Sequence, residues 1–126
     1  MKNFTFSLTV KESAEIIFNA ITNPVTLELW SGYPAIINAL PDSEFSIWDG
    51  EITGRNLSVD PPVKLVQQWY FEDSDPPSIV SIQLTQGKGN TRIDLVHTNI
   101  PDEAYENIRE GWRKYYLGAL KKYLES

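Results

Sequence analysis

Cysteine is absent from the 126 residues of this chain. Its absence excludes disulfide staples, thiolate nucleophiles and cysteine-ligated metal, and it fits a reducing compartment. Histidine occurs once. One imidazole without thiols falls short of the ligand set that zinc needs, so no metal site is expected. Positive charge is also scarce, with 11 Lys and Arg against 17 Asp and Glu and a net charge of −6. Nucleic-acid binding draws on cationic surface that displaces counterions from phosphates, so neither nucleic acid nor an anionic membrane is an expected partner. The local basic stretch "WRKYYLGALKK" complements the negative end of a C-terminal helix. No apolar run approaches the roughly 20 residues of a membrane-spanning helix. The opening "MKNFTFSLTV" alternates apolar and polar residues, unlike a signal peptide. A soluble, cytoplasmic protein is the expectation.

What is present suits one domain over residues 1–126, since domains usually run to about 100–150 residues. There is no repeat, low-complexity tract or linker. "NFTFSLTV" places Phe4, Phe6, Leu8 and Val10 on one face of a strand. "KESAEIIFNAITNP" reads as a helix capped by Ser13 and ended at Asn23-Pro24, because the residue before proline leaves the α region. "VTLELW" reads as a second short helix ending near Gly32. Strands are then expected in "AIINAL", "SEFSIW", "ITGRNLSV", "KLVQQWYF", "SIVSIQLT" and "TRIDLVHT". Asp49-Gly50 fits a two-residue type I′ hairpin, with φ > 0 at both positions. "EDSDPP" forms an acidic loop and "QGKGN" a hairpin connection.

Pro101 opens the last segment at a helix N1 position, with Asp102 and Glu103 in the first turn. Ala104, Ile108, Trp112, Tyr115, Ala119 and Tyr123 then recur at helical spacing, predicting an apolar stripe about six turns long. Such a helix lies on a flat apolar surface, which the antiparallel strands supply. Gly111, costing about 1 kcal/mol in mid-helix, suggests a close approach of helix to sheet. The fold class is α+β.

The order of elements matches the START-like helix-grip fold, a curved antiparallel sheet of six or seven strands around a long C-terminal helix, with two short helices after the first strand. Four stretches, "AEIIFNAITNP…LELW", "FSIWDGEITG", "LVQQW" and "TRIDLVHTNIP…GW", together resemble the activators of the heat-shock protein 90 ATPase, in their C-terminal-domain-like members. The resemblance implies an intracellular protein with a cavity between sheet and helix and a co-chaperone, stress-response setting. It implies a heat-shock-90 chaperone as partner, met through the exposed sheet face or the loops. The family's co-chaperone proper carries an additional N-terminal domain, to which nothing in this sequence corresponds.

His97 alternates in register with Ile93 and Leu95 and would face inward at the cavity rim, as a polar anchor or a general base, or as a histidine bonded to local backbone. Glu103, Glu106 and Glu110 could hold a hard cation weakly, though a solvated helix face explains them far better, since charge runs on helices usually point to water. "GKGNT" lacks the spacing of a phosphate loop, and no Gly-x-Ser-x-Gly elbow occurs. No catalytic constellation emerges, and no cofactor is expected. A cyclase or dehydratase with His97 as base is the enzymatic alternative.

Five Phe, six Tyr and four Trp give enough aromatic surface to wall a pocket or to fill a core. Phe45, Gln67, Trp69, His97, Trp112, Tyr115 and Tyr116 are the candidates for lining a cavity that takes a small apolar molecule. Alternation alone leaves open whether Gln67 or Gln68 points inward.

Overall fold

Alternating exposure carries β1 (Lys2–Val10), whose Phe4, Phe6 and Leu8 pack on the core. The computed structural model describes residues 1–72 and 75–126. Helix α1 (Ala14–Thr22) starts where the Ser13 hydroxyl accepts from Ile16 N at 3.3 Å. Asn23 ends α1 and caps α2 (Pro24–Ser31), its side chain accepting from Val25 N and Thr26 N. Pro24 is tolerated there because the first turn of a helix has no partner for an N–H. The Trp30 indole then donates to Ala20 O at 2.8 Å and docks α2 on α1.

Five further strands follow: β2 (Glu44–Ile47), β3 (Ile52–Asp60), β4 (Lys64–Trp69), β5 (Ser78–Gln86) and β6 (Thr91–Ile100). With β1 they form one curved antiparallel sheet in the order β1-β6-β5-β4-β3-β2. Its concave face presents Leu65, Gln67 and Trp69 from β4, Val80, Ile82 and Leu84 from β5, and Ile93, Leu95 and His97 from β6. Register aligns His97, Val80, Gln67 and Asn56 in one row across the sheet. The neighbouring row holds Ser78, Trp69, Gly54 and Phe45. Phe45 lies over Gly54, where an added Cβ would come within 2.7 Å of the ring.

The C-terminal helix grips this face. After Pro101, which stands at the cap one residue earlier than expected, a 3₁₀ turn (Asp102–Ala104) leads into α3 (Tyr105–Glu110), a π-helical segment (Gly111–Tyr116) and α4 (Leu117–Leu124). This is the helix-grip arrangement.

The sheet has six strands among the described residues, not seven. "AIINAL" contributes one bridge, Ile36 to Ser46. The carbonyls of Asn38 and Leu40 turn instead to the Asn56 amide and the Ser43 hydroxyl, so no ladder extends. The β2–β3 connection is also longer than two residues. Asp49 and Gly50 do take positive φ, and Trp48 O accepts from Glu51 N at 3.1 Å. Trp48 itself sits at φ 52, however, so the ladder stops at Ile47 and Ile52. In the acidic loop, Asp73 and Ser74 lie outside the described residues.

Beyond Trp112 the predicted helix stripe keeps Ala119 against the core but loses Tyr115 and Tyr123. A π turn holds an extra residue relative to an α turn, so each later position is carried round the axis. The buried set becomes Trp112, Tyr116, Leu117 and Leu120. Tyr115 is 59% exposed and Tyr123 also faces out. Gly111 makes no close approach, since a Cβ there would meet open space. Gly118 is the constrained position: its Cβ would overlap the Arg113 carbonyl oxygen that the π turn brings alongside.

The two helix glycines should therefore respond oppositely to alanine. Gly118→Ala is expected to cost about 1–3 kcal/mol through overpacking. Gly111→Ala should be neutral or stabilise by up to about 1 kcal/mol. Urea unfolding of both variants measures this, and equal effects would contradict the π register.

Candidate functional site

Trp112 is the point from which the interior is organised. Its ring is buried, stacks on Trp69 with centroids 4.9 Å apart, and meets Tyr116 at 4.5 Å. Tyr116 stacks on Trp48 at 5.4 Å, and Trp30 meets both edge-on. All four tryptophans thus join one chain of rings between sheet and helix. Such contacts add about 0.5–1.5 kcal/mol each beyond area burial.

Two polar chains run from the stacked indoles into the sheet. In the first, Trp112 Nε1 donates to His97 Nδ1 at 2.9 Å. An indole can only donate, so His97 carries its proton on Nε2. That nitrogen lies 2.8 Å from Ser78 Oγ and donates to it, and the hydroxyl donates onward to Thr98 O at 3.2 Å. In the second, Trp69 Nε1 donates to Gln67 Oε1 at 3.0 Å, Gln67 Nε2 to Asn56 Oδ1 at 2.9 Å, and Asn56 Nδ2 to Asn38 O at 2.8 Å. Gln67 is the inward glutamine, and its pairing to Asn56 on β3 explains why glutamine is tolerated there.

His97 is not at a rim. It is 0% exposed, with both ring nitrogens engaged. The general-base reading has no free nitrogen to act through, and the local-backbone partner gives way to two side chains. Desolvation pushes the imidazole down from 6.5 to about 3, so it stays neutral.

Beside the ring chain opens a cleft of about 450 Å³. Rings of Tyr33, Trp48, Trp69, Trp112, Tyr115 and Tyr116 line it. Ile52, Ile108 and Gly111 fill the wall between them, and Glu51 and Asn107 are its polar side chains. Of the seven candidates, Trp69, Trp112, Tyr115 and Tyr116 line this cleft, whereas Phe45, Gln67 and His97 lie in the core away from it. Tyr115 reaches it from the exposed side.

Tyr116 is 3% exposed, and its hydroxyl has no hydrogen-bond partner among the described residues. No polar side-chain atom among them is both sealed and unpartnered, so this hydroxyl opens on the cleft. Burial raises its pKa and keeps it protonated. Sequence reading missed Trp30, Tyr33, Trp48, Glu51 and Asn107. Trp48 carried one signal, its place beside Asp49-Gly50, but a turn residue is not expected to point inward. The acidic run of the helix is engaged in ion pairs, Glu106 with Arg109 and Glu110 with Lys114, both at 3.1 Å.

The family described as Activator of Hsp90 ATPase homolog 1-like protein matches residues 11–125. Activator of 90 kDa heat shock protein ATPase homolog 1 of Homo sapiens is 26% identical over 124 residues, which are 94% of this chain and 37% of that protein. The homologous activator of Dictyostelium discoideum is 31% identical over 81 residues, 62% of this chain and 21% of its own. The chain therefore spans well under half the length of these relatives. Among solved structures, an HSP90 activator from Plasmodium falciparum superposes with a TM-score of 0.90 at 26% identity, covering 99% of this chain and 97% of that one. The solution structure of an Aha1 dimer from Colwellia psychrerythraea gives a TM-score of 0.86 at 20% identity, covering 99% and 97%, and shares the fold.

His97 offers a direct test of the sealed interior. The unfolded residue takes a proton near 6.5 and the folded one near 3. The unfolded state thus binds more protons between these values. The contribution of His97 to stability is complete above about pH 6.5 and declines toward pH 3, by up to about 1.4 kcal/mol per pH unit. With one histidine in the chain, its ring protons need no assignment by mutation. Their NMR shifts are expected to stay at neutral values from about pH 8 to 5, and a midpoint near 6.5 would show a nitrogen open to water.

Proposed function

Since the chain belongs to the family of Activator of Hsp90 ATPase homolog 1-like proteins, we propose that residues 1–126 act in the cytosol as one non-catalytic domain that binds an Hsp90-type chaperone and raises its ATPase rate. The observation that carries this reading is the likeness to the Plasmodium falciparum HSP90 activator over 97% of that chain. The shared region is the region that description covers. The interior supports binding over chemistry, because the polar groups around His97 and Gln67 serve one another.

The surface open to a large partner is the outer face of the sheet together with its loops. Thr5, Val96, Ser81, Val66 and Ser58 form a row across five strands there. Val96, beside the edge strand β1, is well exposed. Such a hydroxyl-rich face with one well-exposed valine suits a wet, transient contact.

A second reading is favoured by the cleft and its Tyr116 hydroxyl: a small apolar molecule held as cargo or signal. A volume of about 450 Å³ falls in the range of small-molecule sites. Native mass spectrometry and melting shifts across a lipid and metabolite panel test it.

For the leading proposal, adding the domain to its host's Hsp90-type chaperone should raise the steady-state ATPase rate to a saturating level. Calorimetry should report a complex at the same concentrations. A flat rate at saturating domain, together with no heat of binding, would remove the co-chaperone reading.

A further inference from the structure

We propose that the cleft binds an organic cation, an alkylammonium or quaternary ammonium group. This rests on the reading that the cleft takes a small molecule, and it names the chemical class. The faces of aromatic rings carry negative potential and attract cations, tryptophan most strongly. Three of the six rings in this cleft are tryptophan. The cleft has a carboxylate, Glu51, and no basic side chain among its lining residues.

The surrounding charges are arranged to leave that carboxylate free. On the helix beside the cleft, Arg109 pairs with Glu106 and Lys114 with Glu110. Arg113 lies over the Phe6 ring, 5.7 Å from its centre. Among the described residues Glu51 has no ion-pair partner. The Tyr116 hydroxyl adds a largely buried oxygen dipole that no group among the described residues uses.

Trp48 strengthens the case. It holds φ 52, a conformation that bulky residues rarely adopt, and so keeps its ring against Tyr116 at the cleft wall. Strained backbone of this kind persists where surroundings over-determine it, and it concentrates at ligand sites. A neutral apolar ligand would use neither Glu51 nor the hydroxyl and would desolvate the carboxylate without return. An anion would meet ring faces and Glu51, all repulsive. A cation satisfies each group at once.

The test compares choline with its neutral isostere 3,3-dimethylbutan-1-ol on the full chain, following the four indole N–H signals by NMR at low salt. Choline is expected to bind about tenfold more tightly. Glu51→Gln should weaken choline by about three- to tenfold and leave the alcohol unchanged. Glu15→Gln, on α1 and outside the cleft, should alter neither. Equal affinities for the two probes, or Glu51→Gln without effect on choline, overturn the cation proposal while keeping the apolar cleft. Binding of neither probe at tens of millimolar overturns both.

Discussion

The interior depends on one hydrogen bond, from the Trp112 indole to His97 Nδ1 at 2.9 Å. Because an indole has no lone pair to offer, the bond sets the histidine tautomer. The tautomer then makes Ser78 an acceptor toward the ring and a donor toward Thr98 O. Four residues from the helix, β6 and β5 are thereby committed to one arrangement with every polar atom used. Removal of any member would strand a buried group, at a cost of about 1–3 kcal/mol. The same Trp112 ring stacks on Trp69, which anchors the Gln67–Asn56 chain across β4 and β3. Helix and sheet are thus joined by two polar chains that share one aromatic contact.

The π segment follows from that anchoring. Trp112 must meet Trp69 and His97, while Tyr116, Leu117 and Leu120 must also face inward. An α-helix starting from Trp112 would keep Tyr116 inward at i+4 but turn Leu117 away and bring Tyr115 nearer the sheet. One extra residue in the turn reconciles the two demands. It also moves the Arg113 carbonyl against Gly118, a position where a side chain cannot be fitted without displacement. Gly111 ends up facing the cleft, where its missing side chain contributes to the open volume.

Much of this was legible in the sequence. Strand composition and turn signals placed all six strands, two-residue alternation turned β1 and β6 the right way in, and Ser13, Asn23-Pro24 and Gly32 marked the early helices through ordinary capping chemistry. What escaped shares one cause: a contact between residues distant in sequence overrode a local pattern. Periodicity of 3.6 misplaced Tyr115 and Tyr123, because a π turn leaves no local signature beyond glycine. "AIINAL" has strand composition, yet its carbonyls are drawn to Asn56, 18 residues after Asn38. His97 was correctly turned inward by alternation, but its depth was set by Trp112 and Ser78. Four of the seven site candidates reached the cleft because large inward aromatics concentrate where helix meets sheet.

Polarity divides the space between helix and sheet into two regions. Around His97, Gln67 and Asn56 every polar side-chain atom has a protein partner, so that region is structural. Around Tyr116, Trp48 and Glu51 the same chain of rings ends in groups that have no partner among the described residues. A stack of rings is stiff, so the sealed region holds the walls of the open one in place. Strand β4 connects the cleft to the opposite surface, since it carries Trp69 into the ring chain and Val66 and Gln68 to the outside. A molecule in the cleft and a protein on the outer sheet face would therefore press on the two sides of one six-residue strand. Coupling between them would require that strand to have two stable positions, and the fully satisfied Gln67 and Trp69 side chains hold it in one. The two surfaces should then bind independently, with occupancy of the cleft leaving the affinity of the outer face unchanged.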